Sequence, residues 1–150
     1  MGRIMGLDFG DKTVGVAMTD ALRLIVSPFE TIVRDKENKI RPTLRRIAEL
    51  CREQDIDRIV VGLPLNMDGT AGERVQKTEA FCAQLRTRLA AAELDIPVVL
   101  WDERLSTEEA NDILEQSGVK NTERKAYIDK IAAALILEDY MRNGFEAEEI

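Results

Sequence analysis

Carboxylates are the chemistry this sequence offers, because it contains no histidine. Ser-His-Asp, Cys-His and His-metal machinery are excluded together, so acid–base or metal chemistry must rest on Asp, Glu, Lys, Tyr or Cys. Three acidic positions stand out. Asp8 lies in Gly6-Leu7-Asp8-Phe9-Gly10. On a strand alternate residues share a face, so Gly6, Asp8 and Gly10 point one way and Met5, Leu7 and Phe9 the other. Glycine on either side leaves room against the carboxylate for a hydrated metal with its phosphate. The plainer reading is a strand end that accepts hydrogen bonds from a turn.

Asp102-Glu103-Arg104 follows an apolar run, and sites gather beyond the carboxyl ends of parallel strands. Asp102 and Glu103 face opposite ways if the strand continues through them, so one of the two can share a site with Asp8. A solvated strand end is the alternative. Asp129 falls between Ile136 and Tyr140 on a helical wheel, flanked by Ala132 and Ala133, with Ile128, Ile131 and Leu135 extending the apolar arc. A carboxylate there is costly unless it is paired or bound to a metal. The alanines would let the helix approach the sheet closely, towards Asp8. A salt bridge to Lys125 or Lys130 is the competing explanation.

Separated carboxylates on two strands and a helix suit Mg²⁺ or Mn²⁺, hard ions that take oxygen ligands and share them with water and substrate phosphate. Two such ions can activate a water and stabilise the leaving oxygen of a phosphodiester, with no need of histidine. The loop Gly62 to Glu73 runs from a parallel strand into a helix. Free N–H groups at a helix start attract phosphate, and Asn66, Thr70 and Gly72 are the candidates to contact a nucleic-acid backbone. The Gly-Lys-Ser/Thr ending of a P-loop is missing. Arg74, Lys77 and Arg104 from this side, with Lys12, Lys120, Arg124 and Lys125, are the candidates for a local basic rim.

The elements that must position these residues are legible from periodicity. Buried strands are expected over 3–9, 14–18, 24–33, 56–63 and 96–102, with Pro28 marking an edge or a bulge. Amphipathic helices are expected over about 37–54, 73–93 and 125–142. The capping box Ser106-Thr107-Glu108-Glu109 opens a short helix that ends at Gly118. The order β-β-β-α-β-α-β-α-α gives an α/β fold with a mixed five-stranded sheet: three antiparallel meander strands plus two parallel strands, flanked by helices.

With 150 residues, 45% of them hydrophobic and 33% charged, the chain is one ordinary domain with a real core. No apolar run approaches the ~18–20 residues of a membrane span. The start reaches Asp8 too early for a signal peptide. Cys51 and Cys82 sit in helical apolar patterns and read as reduced core residues of a cytoplasmic protein. The net charge of −7 argues against a large nonspecific nucleic-acid surface but not against a local basic groove. Five acids and one Arg from Glu138 onward contribute −4 of it.

Together, Gly6-Leu7-Asp8-Phe9-Gly10 with Gly15-Val16-Ala17, the run Val61 to Thr70, Asp102-Glu103-Arg104-Leu105-Ser106-Thr107, and Asp129 with Ala132-Ala133 resemble the YqgF-type nucleases. That family is provisionally described as Holliday junction resolvases or pre-16S rRNA nucleases. The resemblance covers nearly the whole chain. It implies a ribonuclease H-like fold, with residues 1–143 as the nuclease domain and 144–150 as an acidic tail. It implies an acidic triad of Asp8, Glu103 and Asp129 that acts as catalytic centre and Mg²⁺ or Mn²⁺ ligand set, with Asp102 as the competitor of Glu103. It also implies hydrolysis of phosphodiester bonds in 5′-end processing of pre-16S rRNA. Junction resolution on DNA is the alternative within the fold, and a non-catalytic ribosome- or transcription-associated module the alternative outside catalysis. An actin-like nucleotide-binding reading of Asp8-Phe9-Gly10 would need a second such domain. The expected partner is nucleic acid, as precursor rRNA or branched DNA, with no membrane and with a homodimer left open.

Overall fold

The computed structural model describes residues 2–36, 38–64, 72–102 and 121–144. Strands β1 (Arg3–Phe9), β2 (Thr13–Thr19) and β3 (Val26–Val33) precede helix α1 (Arg41–Glu53) and strand β4 (Ile56–Leu63). Helix α2 (Glu73–Ala91), strand β5 (Val98–Asp102) and helix α3 (Asn121–Asn143) follow. The strands form one sheet in the order β3-β2-β1-β4-β5. β1–β2 and β2–β3 pair antiparallel, and β1–β4 and β4–β5 pair parallel. This is the mixed sheet expected from the order of elements. The expected short helix from Ser106 to Gly118 lies outside the described residues.

Where boundaries differ from expectation, local chemistry explains them. β3 starts at Val26, two residues after the expected Leu24, because the Asp20 carboxylate accepts the N–H groups of Leu24 and Ile25 at 2.7 and 2.9 Å. β5 starts at Val98, since Pro97 has no N–H to give a ladder. α1 starts at Arg41, not near 37, with Pro42 in its first turn, where the missing N–H costs nothing. α2 stops at Ala91, and Glu93 just beyond it adopts φ 59°, a left-handed helix exit. Pro28 does mark an edge and a bulge: Val16 pairs Glu30 and Ala17 pairs Pro28, leaving Phe29 extra on the outermost strand.

The two faces of the sheet bury different cores. Met5, Leu7, Val14, Val16, Ile59 and Val61 pack against Leu44, Ile47 and Leu50 of α1 and Phe81, Cys82 and Leu85 of α2. Ile4, Ala17 and Val60 pack against Ala133, Ala134, Ile136, Leu137 and Tyr140 of α3. Ile131 and Leu135, expected within the apolar arc of α3, are only half-buried, as is Ile128. The arc is instead centred on Ala133, Leu137 and Tyr140, each 0% exposed. Both cysteines are free and buried, as expected of core thiols.

Candidate active site

Asp8 is the penultimate residue of β1, and alternation along the strand is as expected. Met5 and Leu7 belong to the α1–α2 core. A Cβ on Gly6 would lie 2.8 Å from the Leu137 side chain and 3.0 Å from the Ala133 carbonyl oxygen. The face shared by Gly6 and Asp8 is therefore the face that α3 covers.

The approach of α3 is closest at Gly15, the cross-strand partner of Asp8. A Cβ on Gly15 would fall 1.8 Å from the backbone oxygen of Asp129, so only glycine lets the helix backbone rest on β2 there. Four residues back along a helix, from Ala133 to Asp129, is about 6 Å. Two residues on along a strand, from Gly6 to Asp8, is about 6.6 Å. Helix and strand thus carry Asp8 and Asp129 to the same level on the same face. Asp129 is half-buried. Its Oδ2 atom is buried and accepts no hydrogen bond, although Asp8 and Asp129 both make other polar interactions.

The third acidic position divides by parity. In β5, Val98 and Leu100 pack on the α1–α2 core, whereas Val99 and Trp101 pack on the α3 core. The Trp101 indole N–H donates to Asp139 of α3 at 2.6 Å and its ring meets Tyr140 edge-on. Asp102 continues the Val98–Leu100 set and so belongs to the face away from Asp8. Glu103 lies outside the described residues. Among the described residues no group of three acidic or thiol side chains is placed to hold a metal ion.

Asn66, Thr70 and Arg104, together with the side chains of Arg124 and Lys125, lie outside what is described. Gly72 is the N-cap of α2 and its carbonyl accepts the Val75 N–H at 3.1 Å. Arg74, in the first turn of α2, reaches the β1–β2 turn. It donates to the Asp11 carboxylate at 2.7 Å and to the Phe9 carbonyl at 3.0 Å. Lys77, one turn further on, stands 3.5 Å from the same carboxylate. Two cations thus meet three residues beyond Asp8, so the total charge of −7 does not describe the surroundings of this turn. Sequence reasoning passed over Asp11, the anion they meet.

It also passed over Arg34, which is 4% exposed directly after the edge strand. Ile32 is buried and Val33 exposed, so alternation turns Arg34 inward, and the sequence conceals this because both preceding residues are apolar.

Comparison with known proteins agrees with this architecture. A family model described as "RuvX: Holliday junction resolvase" matches residues 2–143. A protein of Lachnospira eligens with the provisional name pre-16S rRNA nuclease is 49% identical over 94% of this chain and 97% of its own length. One of Geobacillus kaustophilus with the same name is 45% identical over 93% and 96%. Among solved structures, Thermus thermophilus RuvC in complex with a Holliday junction substrate superposes with a TM-score of 0.56 at 14% identity. The match covers 96% of this chain and 97% of RuvC, a likeness of fold, and that fold is ribonuclease H-like. Matched over 2–143 and this similar to proteins of its own length, the chain belongs to the RuvX family.

Proposed function

We propose that this protein is a divalent-metal-dependent nuclease that hydrolyses phosphodiester bonds, with 5′-end processing of pre-16S rRNA as its reaction in ribosome biogenesis. The observation that carries the reading is the convergence of Asp8 and Asp129 on one face, at the carboxyl edge of the parallel strands, under a helix that glycine admits. The names borne by the relatives support the substrate. Among the described residues no helix is long and apolar enough to cross a membrane.

The residues fit a hard cation. Asp8 and Asp129 are oxygen donors of the kind a hard cation takes, whereas the room expected beside Gly6 and Gly10 is taken up by Leu137 and Ala133 of α3 and by Thr13. In this reading Asp8, Glu103 and Asp129 hold Mg²⁺ or Mn²⁺. The chemistry a bound ion supplies is polarisation of the phosphate and activation of water. Asn66, Thr70, Gly72, Arg74 and Arg104 contact the nucleic-acid backbone and hold the scissile phosphate against the carboxylates. Arg74 does so by exchanging Asp11 for phosphate while it keeps the Phe9 carbonyl.

Cleavage of an RNA spanning a precursor end, with Mn²⁺, Mg²⁺ or chelator, tests the proposal. Metal-dependent cutting at the mature 5′ end is expected, and no cutting with any divalent ion would overturn it. The family description favours a second reading, resolution of branched DNA. A four-way junction cut faster than the RNA would select it.

A further inference from the structure

The turn that follows Asp8 is held from behind by a buried cation. Arg34 continues the β2–β3 ladder by donating its backbone N–H to the Lys12 carbonyl at 2.7 Å. Its side chain then runs under the turn, where one guanidinium nitrogen, Nη2, donates both to the Gly10 carbonyl at 2.6 Å and to the Asp11 carbonyl. The guanidinium carbon lies 4.9 Å from the centre of the Phe9 ring, and Phe9 in turn stacks on Phe81 with centroids 4.3 Å apart. Arg34 therefore approaches from the α1–α2 face, whereas Asp8 projects from the other.

A guanidinium that is 4% exposed is costly in a core: Nη2 has acceptors, while the Nε and Nη1 atoms are buried and make no hydrogen bond among the described residues. The acceptors here include two consecutive backbone carbonyls, the first of them two residues from Asp8. Fixing those peptide planes fixes the end of β1 and with it the direction of the Asp8 side chain. The need for a brace follows from the site itself. In the proposed function Asp8 and Asp129 are ligands of one cation, and two carboxylates at one site repel when it is absent. The β1–β2 turn is the connection that repulsion would displace, because α3 is locked onto the sheet at Gly6 and Gly15.

We infer that Arg34 is a positioning residue of the active site: through the Gly10 and Asp11 carbonyls it sets the Asp8 carboxylate for cation binding. The inference rests on the reading of Asp8 as a metal ligand. The brace acts on the metal-free protein, so it is visible without turnover.

The experiment is Mn²⁺ binding to the full chain by calorimetry, without nucleic acid, for the parent, Arg34→Met and Arg34→Lys, each checked for folding by circular dichroism. Arg34→Met keeps an apolar stem over Phe9 and removes the donors. Its Mn²⁺ dissociation constant should rise about 10- to 100-fold, the usual effect of losing a group that orients a ligand. Because a single nitrogen makes both carbonyl contacts, the lysine ammonium can replace it, and Arg34→Lys should recover most of the affinity. In cleavage, Arg34→Met should need more Mn²⁺ for half-maximal rate while KM for nucleic acid stays unchanged. A folded methionine variant that binds Mn²⁺ like the parent overturns the inference. If that variant does not fold, Arg34→Gln decides on the same measurement. A parent that binds no Mn²⁺ would instead overturn the metal-site reading itself.

Discussion

The two faces of the sheet are built by opposite rules. On one, α1 and α2 stand off at side-chain distance and the space is filled by Leu44, Ile47, Leu50, Phe81 and Leu85. On the other, α3 lies against glycine, with Gly6 under Ala133 and Gly15 under the Asp129 backbone. Large side chains give the first face its buried area, of which each residue contributes roughly 1.5–3 kcal/mol. Small ones give the second face a close approach of helix backbone to sheet, which puts Asp129 on the face that carries Asp8. One layer stabilises the fold, and in the proposed function the other uses that stability to hold the two carboxylates at one site. Replacements on the two faces should therefore differ in kind.

The largest difference is expected at the carboxylates. Asp8→Asn keeps size and hydrogen-bonding capacity but loses the charge that holds a hard cation. Cleavage should fall by several orders of magnitude. Without metal, the variant should melt at the parent temperature or above it, because one of two neighbouring like charges is gone. A purely structural Asp8 would instead cost about 1 kcal/mol on replacement and leave cleavage intact. Melting curves with and without Mg²⁺, beside cleavage assays, separate the two.

A paired experiment sharpens the comparison. Gly15→Ala places a methyl group where the Asp129 carbonyl now sits, 1.8 Å from the new Cβ, and should destabilise by about 3 kcal/mol. Leu50→Ala, in the opposite layer and 0% exposed, should cost about as much by leaving a cavity. Equal losses of stability should have unequal consequences. At a temperature where both variants are folded, Gly15→Ala should need far more Mn²⁺ for cleavage, and Leu50→Ala should match the parent. Matching metal requirements in the two would break the distinction between the layers.

The sequence made most of this legible because the relevant signals are periodic. β1 and β4 fall on their expected bounds, Pro28 sits at an edge bulge, and Asp8 shares its face with Gly6 as alternation requires. The arc of α3 was less legible: Ile128, Ile131 and Leu135 are half-buried, since the helix turns to the sheet the residues that meet the two glycines, Ala133 and Leu137 at Gly6 and the Asp129 backbone at Gly15. The choice between Asp102 and Glu103 turns on the facing of β5. Trp101 shows that facing through Asp139 and Tyr140, and apolar residues on both sides of a strand conceal it. Arg34 and Asp11 were missed because a charge near a turn ordinarily means solvent.

A smaller effect is expected where the layers meet, at the Asp11–Arg74–Lys77 cluster. These side chains are half-exposed, so their ion pairs add little stability, and their expression should be in nucleic-acid binding. Arg74→Gln neutralises one phosphate fewer. It should weaken binding and reduce the slope of log K against log salt by about 0.9 on duplex, or about 0.7 on single strands. Asp11→Asn should act in the opposite direction, with tighter binding and a steeper slope, because both cations are released to phosphate. Anisotropy titrations across salt concentrations read both, and identical slopes for the three proteins would remove the cluster from the binding surface.

The smallest effect belongs to the α1–α2 layer and concerns its thiols. Burial pushes Cys51 up to about 12 and Cys82 up to about 11, from an ordinary 9.0. The raised values mean that the folded protein holds both protons after the unfolded chain has begun to release them. Below pH 9 both states are protonated and the thiols contribute nothing to the pH dependence of stability. Between pH 9 and about 11 the unfolded state binds fewer protons than the native one, so stability falls as pH rises, by about 1.4 kcal/mol per pH unit for each thiol at most. Replacing both with alanine lowers stability at every pH through the cavities left behind, but it should remove this part of the slope. The difference in unfolding free energy between parent and double variant should therefore be constant up to pH 9 and shrink above it, as measured by denaturant titration. At pH 8 the same burial leaves at most about one thiolate in a thousand on Cys82, so a thiol reagent should label the native protein only as fast as it unfolds. Rapid native labelling of either cysteine would mean that this face opens in solution and is not the inert half of the comparison.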